Sequence, residues 1–437
     1  MLPSRRTYQL LAAGFIIVIV LTTILPSTNR ITGAIAAVVL FDLIVLALMI
    51  IDGRRTQPVV MSRAPLSRLS IGRDNPVTLT VQSQGQPAEI QVRDGYPIAF
   101  TVSQPILQAA LAANQTATLT YTARPHQRGE YQWGAMQVRQ LSPLKLAWTD
   151  WKIPQPQPVA VYPDLLTLRS LSIRLTLQSA GTIRQARRIG MGTEFAELRE
   201  YAVGDDPRLI DWKATARKSR PLVRVLEPEQ EQTLIILLDR GRLMTAQVKG
   251  LQRFDWGLNA TLALALAGIS RGDRVGIGVF DRTIHTWIPP ERGQNHLSKM
   301  IERLTPIQPD FQEPDYLGAV NALVGQQARR ALVVMITDLV DQTASSELLI
   351  AMSRMMPRYL PFCVALRDPQ VDQQAQTFTT DVSAAYARAV ALDLLNQRQV
   401  AFASLKRQGV LVLDAPANQI TDQLVDRYLQ LKLRNQL

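Results

Sequence analysis

Hydrophobic residues recur along this chain in three rhythms, and each rhythm predicts a different kind of element. At the amino end two unbroken apolar segments run from Tyr8 to Leu25 and from Ile31 to Ile51, separated by the short turn PSTNR. Each is about as long as a helix that crosses ~30 Å of hydrocarbon, so residues 1–56 are expected to form a transmembrane helical hairpin. From Gln57 to Asp164 the pattern shortens to alternating runs, VTLTVQ, AEIQVRD, IAFTVS, ATLTYTA and AMQVRQ, punctuated by Gly, Pro and Asn. Period-two alternation between turn residues predicts half-buried strands, and their number predicts a small β-sandwich over residues 57–165. The proline-rich passage KIPQPQPVAVYPD then reads as an extended connector.

Beyond Gln232 short apolar runs, ILLD, VGIGVF, ALVVMITD, LPFCVAL and GVLVLD, alternate with helix-length patterns at 252–270, 294–304, 316–328, 378–407 and 417–434. That alternation predicts a parallel sheet covered by helices on both faces, so residues 231–437 are expected to be an α/β domain. The working edge of such a sheet is where strand carboxyl ends meet loops, which brings forward Asp239, Asp281, Asp338 and Asp368, not all of which need share one rim.

Charge gives the apolar hairpin an orientation. Arg5 and Arg6 precede it and Arg54, Arg55, Arg63 and Arg68 follow it, whereas its turn offers only Arg30, which places both flanks in the cytoplasm. The opening SRRTYQLLAAG is similar to a twin-arginine export signal, but no small-residue cleavage site precedes Pro26 and a second full-length apolar segment follows at once. Asp42 lies mid-segment, where an ionised carboxylate is costly. It either pairs with another helix or protomer, or sits protonated or water-reached in a tolerant anchor.

With 437 residues, 47% of them hydrophobic, the chain can bury two or three cores without metals or disulfides. Its single cysteine, Cys363, reads as a core thiol, and with His126, His285 and His296 as the only histidines a Cys/His zinc site has too few ligands. The net charge of +12 comes mostly from arginines interleaved with acids, without a basic helix bearing regular aromatics, so no nucleic-acid partner is expected. Attraction to anionic inner-leaflet lipid would explain the surplus at least as well as nucleic acid.

The densest chemistry lies between Gly192 and Arg224, GTEFAELREYAVGDDPRLIDWKATARKSRPLVR, which holds six acids and seven bases. Asp205, Asp206 and Asp211 are candidates for paired-carboxylate catalysis. Against this, Gly204-Asp205-Asp206-Pro207 is a good structural turn, and Arg199, Arg208, Lys213 and Arg217 lie close enough to pair with the acids and depress their pKa values. The phrases Gly-Thr-Glu-Phe, Leu-Arg-Glu-Tyr, Gly-Asp-Asp-Pro-Arg and Ile-Asp-Trp-Lys-Ala-Thr-Ala-Arg closely resemble the signature of bacterial proteins grouped as domain of unknown function 58. The stretch RPHQRGEYQWGAMQVRQLSPLKL resembles the strand and loop that precede that signature. We take residues 166–230 as the signature segment joining the domains and place Glu194, Glu200, Asp206, Arg208, Asp211, Trp212 and Arg217 at an inter-domain or partner contact. For Trp212, burial within the chain's own domain contact is the commoner outcome.

Residues 231–437 resemble, in order and wording, a von Willebrand factor A domain, whose Rossmann-type fold usually binds a divalent cation. The resemblance implies an Asp-x-Ser-x-Ser loop, a later Thr and a final Asp. Here Asp239 and Asp338 remain, the serine positions are Gly241 and Leu243, and Pro314 stands at the threonine position with Asp315 after it. Arg240 and Arg242 add positive charge. Two readings stay open: an altered acidic Mg²⁺ site that recruits Glu313 or Asp315, and an ion-free fold in which Asp239 and Asp338 bond arginine or backbone groups. Thr337 and Asp341 flank Asp338.

No other catalytic constellation stands out. The second aspartate of haloacid-dehalogenase-like phosphatases is Gly241 here, and neither a Gly-x-Ser-x-Gly elbow nor a Walker A loop occurs. No cofactor is therefore expected. The family resemblance implies a MoxR-type AAA ATPase as partner and hence a cytoplasm-facing adaptor in the bacterial inner membrane. The alternatives are a metal-dependent enzyme of envelope metabolism and a scaffold that self-associates through Asp42.

Overall fold

Uninterrupted apolar character makes the first long elements helices, α1 (Arg5–Ile24) and α2 (Thr28–Arg55). The computed structural model describes all residues except 25–27, 67, 166, 177–193, 228–231, 328, 340–345, 378–380 and 434–437. It divides into two units, Met1–Tyr162 and Pro163–Leu437. Among the described residues, one helical stretch, Ile35–Arg55 with mean hydropathy 2.7, is long and apolar enough to cross a membrane.

In the first unit β1 (Leu2–Pro3) precedes the helices, and among the described residues eleven short strands fall in the alternating region: β2 (Val60–Arg63), β3 (Leu69–Ser70), β4 (Asn75–Gln82), β5 (Ala88–Arg93) and β6 (Phe100–Val102), then β7 (Leu107–Leu111), β8 (Thr116–Pro125), β9 (Gly129–Trp133), β10 (Met136–Leu141), β11 (Ala147–Ile153) and β12 (Gln157–Tyr162). They form sheets ordered β1-β11-β10-β5-β7, β2-β4-β8-β6 and β3-β12-β9. Along β4 the period is visible residue by residue: Val77, Leu79 and Val81 are fully buried while alternate positions face outward.

Two polar clusters hold this unit together. Asp94, at the end of β5, accepts from Arg63 Nε at 3.1 Å, Tyr121 OH at 2.7 Å, Trp133 Nε1 at 3.1 Å and the Gly95 amide at 2.8 Å. These side chains come from β2, β8 and β9, so one carboxylate ties three sheets. The second cluster is at the helix feet. Asp52, near the end of α2, is buried and accepts from the Ser142 hydroxyl, the Leu144 amide at 3.1 Å and the Leu146 amide at 3.3 Å. From the start of α1, Ser4 and Thr7 donate to the carbonyls of Lys145 and Leu146 in the same loop. Sequence alone marks Asp52 only as the point where the apolar segment ends.

The second unit opens with α3 over residues 167–176, then β13 (Glu194–Glu200), a 3₁₀ turn at Pro207–Leu209, α4 (Trp212–Lys218) and β14 (Leu222–Glu227). The α/β part follows with β15 (Thr233–Asp239), β16 (Gln247–Val248), β17 (Leu251–Gln252), α5 (Arg253–Ser270), β18 (Arg274–Phe280), β19 (Ile284–Glu291), α6 (Gln294–Leu304), α7 (Tyr316–Gln326) and β20 (Leu332–Thr337). It ends with α8 (Ser346–Arg354), β21 (Leu360–Arg367), α9 (Pro369–Gln376), α10 (Val382–Arg407), β22 (Leu411–Pro416) and α11 (Ile420–Leu433). The sheet order is β19-β18-β15-β20-β21-β22, parallel except for the antiparallel edge strand β19.

Both faces of this sheet are covered. Leu234, Ile236 and Leu238 pack into one apolar cluster with α5 and α11, while Ile235 and Leu237 pack into another with α7, α8 and α10. Strands β15, β18, β20, β21 and β22 coincide with the apolar runs of the sequence. The long pattern at 378–407 becomes α10 capped by Asp381, whose carboxylate accepts from the Ala384 amide at 3.0 Å. Helices α8 and α9 and strand β19 are additions; α9 is only eight residues, begins at Pro369 and buries only Ala375, so it carries little apolar periodicity to read.

Candidate functional site

After β15 the chain crosses to β18 on one side of it and later returns to β20 on the other, so β15 and β20 flank the point where strand order reverses. Crevices at the carboxyl ends of such strands are where open α/β sheets hold ligands. Asp239 ends β15 and Asp338 follows β20. Asp239 is fully buried: Oδ1 accepts from the Gly241 amide at 2.7 Å, and Oδ2 accepts from Thr337 Oγ1 at 2.6 Å and Tyr316 OH at 3.3 Å. Burial raises its pKa to about 6 against the pull of these hydrogen bonds, and the nearby Asp338 charge adds to the rise.

Asp338 is held by two arginines, Arg253 Nη1 at 2.5 Å on Oδ2 and Arg398 Nη1 at 2.8 Å on Oδ1. Arg398 also donates to Asp414 at 3.1 Å. Burial opposes its charge, yet these two carboxylates more than offset the cost and raise its pKa. Neither arginine is singled out by sequence. Arg398 does leave a trace, because it shares a helical face with Ala401, Phe402 and Leu405, all buried.

The acidic residues that an altered cation site would recruit are turned elsewhere. Glu313 pairs with Arg242 at 2.5 Å, and Asp315 caps α7 by accepting from the Gly318 amide at 2.6 Å. Asp341 lies outside the described residues. A serine hydroxyl at position 241 has no room, since a Cβ there would stand 2.8 Å from the Gln312 carbonyl oxygen and 2.9 Å from Pro314 Cδ. A hard cation needs converging oxygen lone pairs, and among the described residues no group of three or more His, Cys, Asp or Glu side chains is placed to hold a metal ion. Of the other strand-end aspartates, Asp281 joins this rim through Arg240 Nε at 2.8 Å, whereas Asp368 caps α9.

The loop above Asp239 is zipped to residues 310–315. Arg242 N donates to Gln312 O at 2.8 Å, and Asp310 N donates to Arg240 O at 2.8 Å. Phe311 projects from this zipper and is 79% exposed.

The signature segment forms a β13-β14 hairpin that carries the 3₁₀ turn and α4. Its acids are used internally. Asp205 accepts from Arg199 and from the Ala202 amide; Asp206 caps the 3₁₀ turn; Asp211 caps α4 and binds Arg224 Nε at 2.9 Å. Arg199 holds the Asp205 carboxyl below its usual range, and the Ala214 amide followed by Arg224 does the same for Asp211. Glu200 pairs with Arg220, and Glu194 opens β13. Among the described residues, of the four bases expected to pair with these acids only Arg199 does so, because the cap geometry turns Asp206 and Asp211 toward amides and not toward the side chains of Arg208, Lys213 or Arg217. Trp212 is 70% exposed where burial is the commoner outcome, since α4 buries no residue at all.

The uncharacterized protein Rv1480 of Mycobacterium tuberculosis (strain ATCC 25618 / H37Rv) is 28% identical over 151 residues, 34% of this chain and 48% of that protein, so the chain spans about half the length of the curated relatives it matches. Among solved structures, an aerotolerance-related membrane protein from Bacteroides fragilis NCTC 9343 is 15% identical with a TM-score of 0.30, covering 45% of this chain and 99% of the other. The conserved hypothetical protein BatB from Bacteroides thetaiotaomicron is 12% identical with a TM-score of 0.31, covering 46% and 99%. Superpositions this loose define no shared fold. The firmest likeness is one of sequence: residues 197–385, from the signature hairpin through most of the α/β sheet, match the family described as Protein of unknown function DUF58.

Proposed function

We propose that this chain is a membrane-anchored interaction protein: α1 and α2 form a transmembrane hairpin, the α/β part is a von Willebrand factor A-like head, and the signature hairpin docks a protein partner. The observation that carries this reading is the 70% exposure of Trp212 on a helix that buries nothing. A large aromatic left mostly in water on an Asp-capped helix contributes little packing to its own unit and suits an anchor in a partner's pocket. The rim supports the same reading, because its carboxylates are engaged by arginines, hydroxyls and amides and not arranged as an acid and a base. A MoxR-type AAA ATPase is the partner that the family resemblance implies, and the arginine-flanked hydrophobic anchors favour cytoplasmic exposure of both units.

Cross-linking of the full-length protein in native membranes, with and without ATP, tests this. Recovery of an AAA ATPase by wild type and its loss in Trp212→Ala supports the adaptor. Efficient cross-linking of the bait without any ATPase in either nucleotide state sinks it.

One observation favours a self-associating scaffold as a second reading. Asp42 Oδ1 is buried without a partner among the described residues, where α1 passes so close that a Cβ on Gly14 would lie 3.2 Å from it. Oligomer size that depends on Asp42 alone would promote the scaffold.

A further inference from the structure

In the first unit the pairing register sets two polar rows across three adjacent strands. Lys152 on β11 stands opposite Gln137 on β10, which stands opposite Arg93 on β5. Two residues along, and so on the same face, Asp150 stands opposite Arg139, which stands opposite Gln91. These six side chains line a cleft of ≈ 400 Å³.

The two rows differ in what they leave available. Arg139 and Asp150 form a two-pronged pair, Nε to Oδ1 at 2.8 Å and Nη2 to Oδ2 at 3.0 Å, which lowers the Asp150 pKa and consumes the cleft's one acid. Arg93 and Lys152 have no acidic partner among the described residues. Neighbouring strands are ~4.8 Å apart, so these two cations start from backbone positions about 10 Å apart with an amide between them. Long side chains at that spacing can converge on one small group. Two positive charges are balanced by a doubly charged oxyanion and not by a single carboxylate, and Gln137 and Gln91 add neutral donors.

We propose that this cleft binds a phosphate group. Two sources share that chemistry, a phosphomonoester lipid headgroup and a soluble phosphate. The headgroup has a route, because β11 begins beside the loop that holds the feet of α1 and reaches Lys152 within ~17 Å.

The test titrates full-length protein in neutral detergent with inorganic phosphate against chloride at equal ionic strength, and separately with micelles doped with phosphatidic acid, each read by calorimetry. Saturable binding is expected in at least one arm, and that arm identifies the source. It should weaken about tenfold in Lys152→Gln and about a hundredfold in the Arg93→Gln, Lys152→Gln pair, while the remote charge-matched pair Arg303→Gln, Arg329→Gln leaves it unchanged. No saturable binding in either arm overturns the proposal, as does an equal loss in the remote pair. Should the double variant fail to fold, an unaltered affinity in the single Lys152→Gln variant overturns it as well.

Discussion

At the scale of single residues, Asp239 behaves unlike a surface carboxylate. In the folded chain its pKa is about 6, whereas an unfolded aspartate titrates near 4. Between those values the native state holds a proton that the unfolded state has lost, so this group's contribution is fully present below about pH 4 and is lost as pH rises through about 6. Replacement by Asn keeps the acceptor for Gly241 and presents an amide to hydroxyls that can rotate to accept. The stability difference between Asp239→Asn and wild type, read from thermal melts, should therefore shift in favour of the variant from about pH 4 to about pH 6, by up to ~3 kcal/mol, and stay level above about pH 7. A difference that does not change with pH would refute the assignment. Gly241→Ser, which restores the hydroxyl of the cation-binding pattern, should instead lower stability by roughly 1–3 kcal/mol because the new Cβ meets Gln312 and Pro314. Thermal melts with and without Mg²⁺ check both halves of this: the variant melts lower, and the ion does not restore it. The positions of Asp239 and Asp338 were legible because apolar strand runs announce their own ends. Their partners Arg253 and Arg398 were not, since each acts across the sheet from a distant helix.

At the scale of elements, the signature hairpin is held by local bonds and little else, which makes its helix sensitive to one side chain. Asp211 satisfies the Lys213 and Ala214 amides of α4, both at 3.0 Å, besides holding Arg224. Asp211→Ala should cost about 1 kcal/mol of local helix stability. Hydrogen exchange at those two amides should then speed about fivefold without a matching change in the α/β sheet, whereas Asp211→Asn, which retains the cap, should exchange much as wild type does. Helix and strand placement in the α/β part followed from periodicity, yet the exposure of Trp212 did not. Whether a tryptophan is covered depends on what packs over its helix, and nothing within α4 encodes that. Asp52 is a comparable case, because its partners at 142–146 lie some ninety positions away along the chain.

Across the whole molecule, breaking a buried polar contact should cost more than breaking an exposed ion pair, and the first unit offers both kinds. Arg63 and Asp94 are 0% and 2% exposed, whereas Arg124 and Asp74 are 47% and 54% exposed. Asp94→Ala strands a buried guanidinium, a phenol and an indole N–H and should cost about 3–5 kcal/mol. Asp74→Ala should change stability by less than about 1 kcal/mol. Circular-dichroism melts of the full chain in detergent compare the two, and equal effects would contradict the ranking. The sheets were legible from alternation, but a carboxylate joining three of them was not, since Asp94 sits in a turn-like stretch with no apolar rhythm of its own. The helix feet carry a mechanical meaning as well. Ser4, Thr7 and Asp52 grip one loop from two helices, so the joint lacks a swivel. The feet of both helices are thereby tied to the loop at 142–146 and, through it, to β10 and β11. Under the proposed reading, in which α1 and α2 span a bilayer, such a joint would make the first unit a post and not a tether.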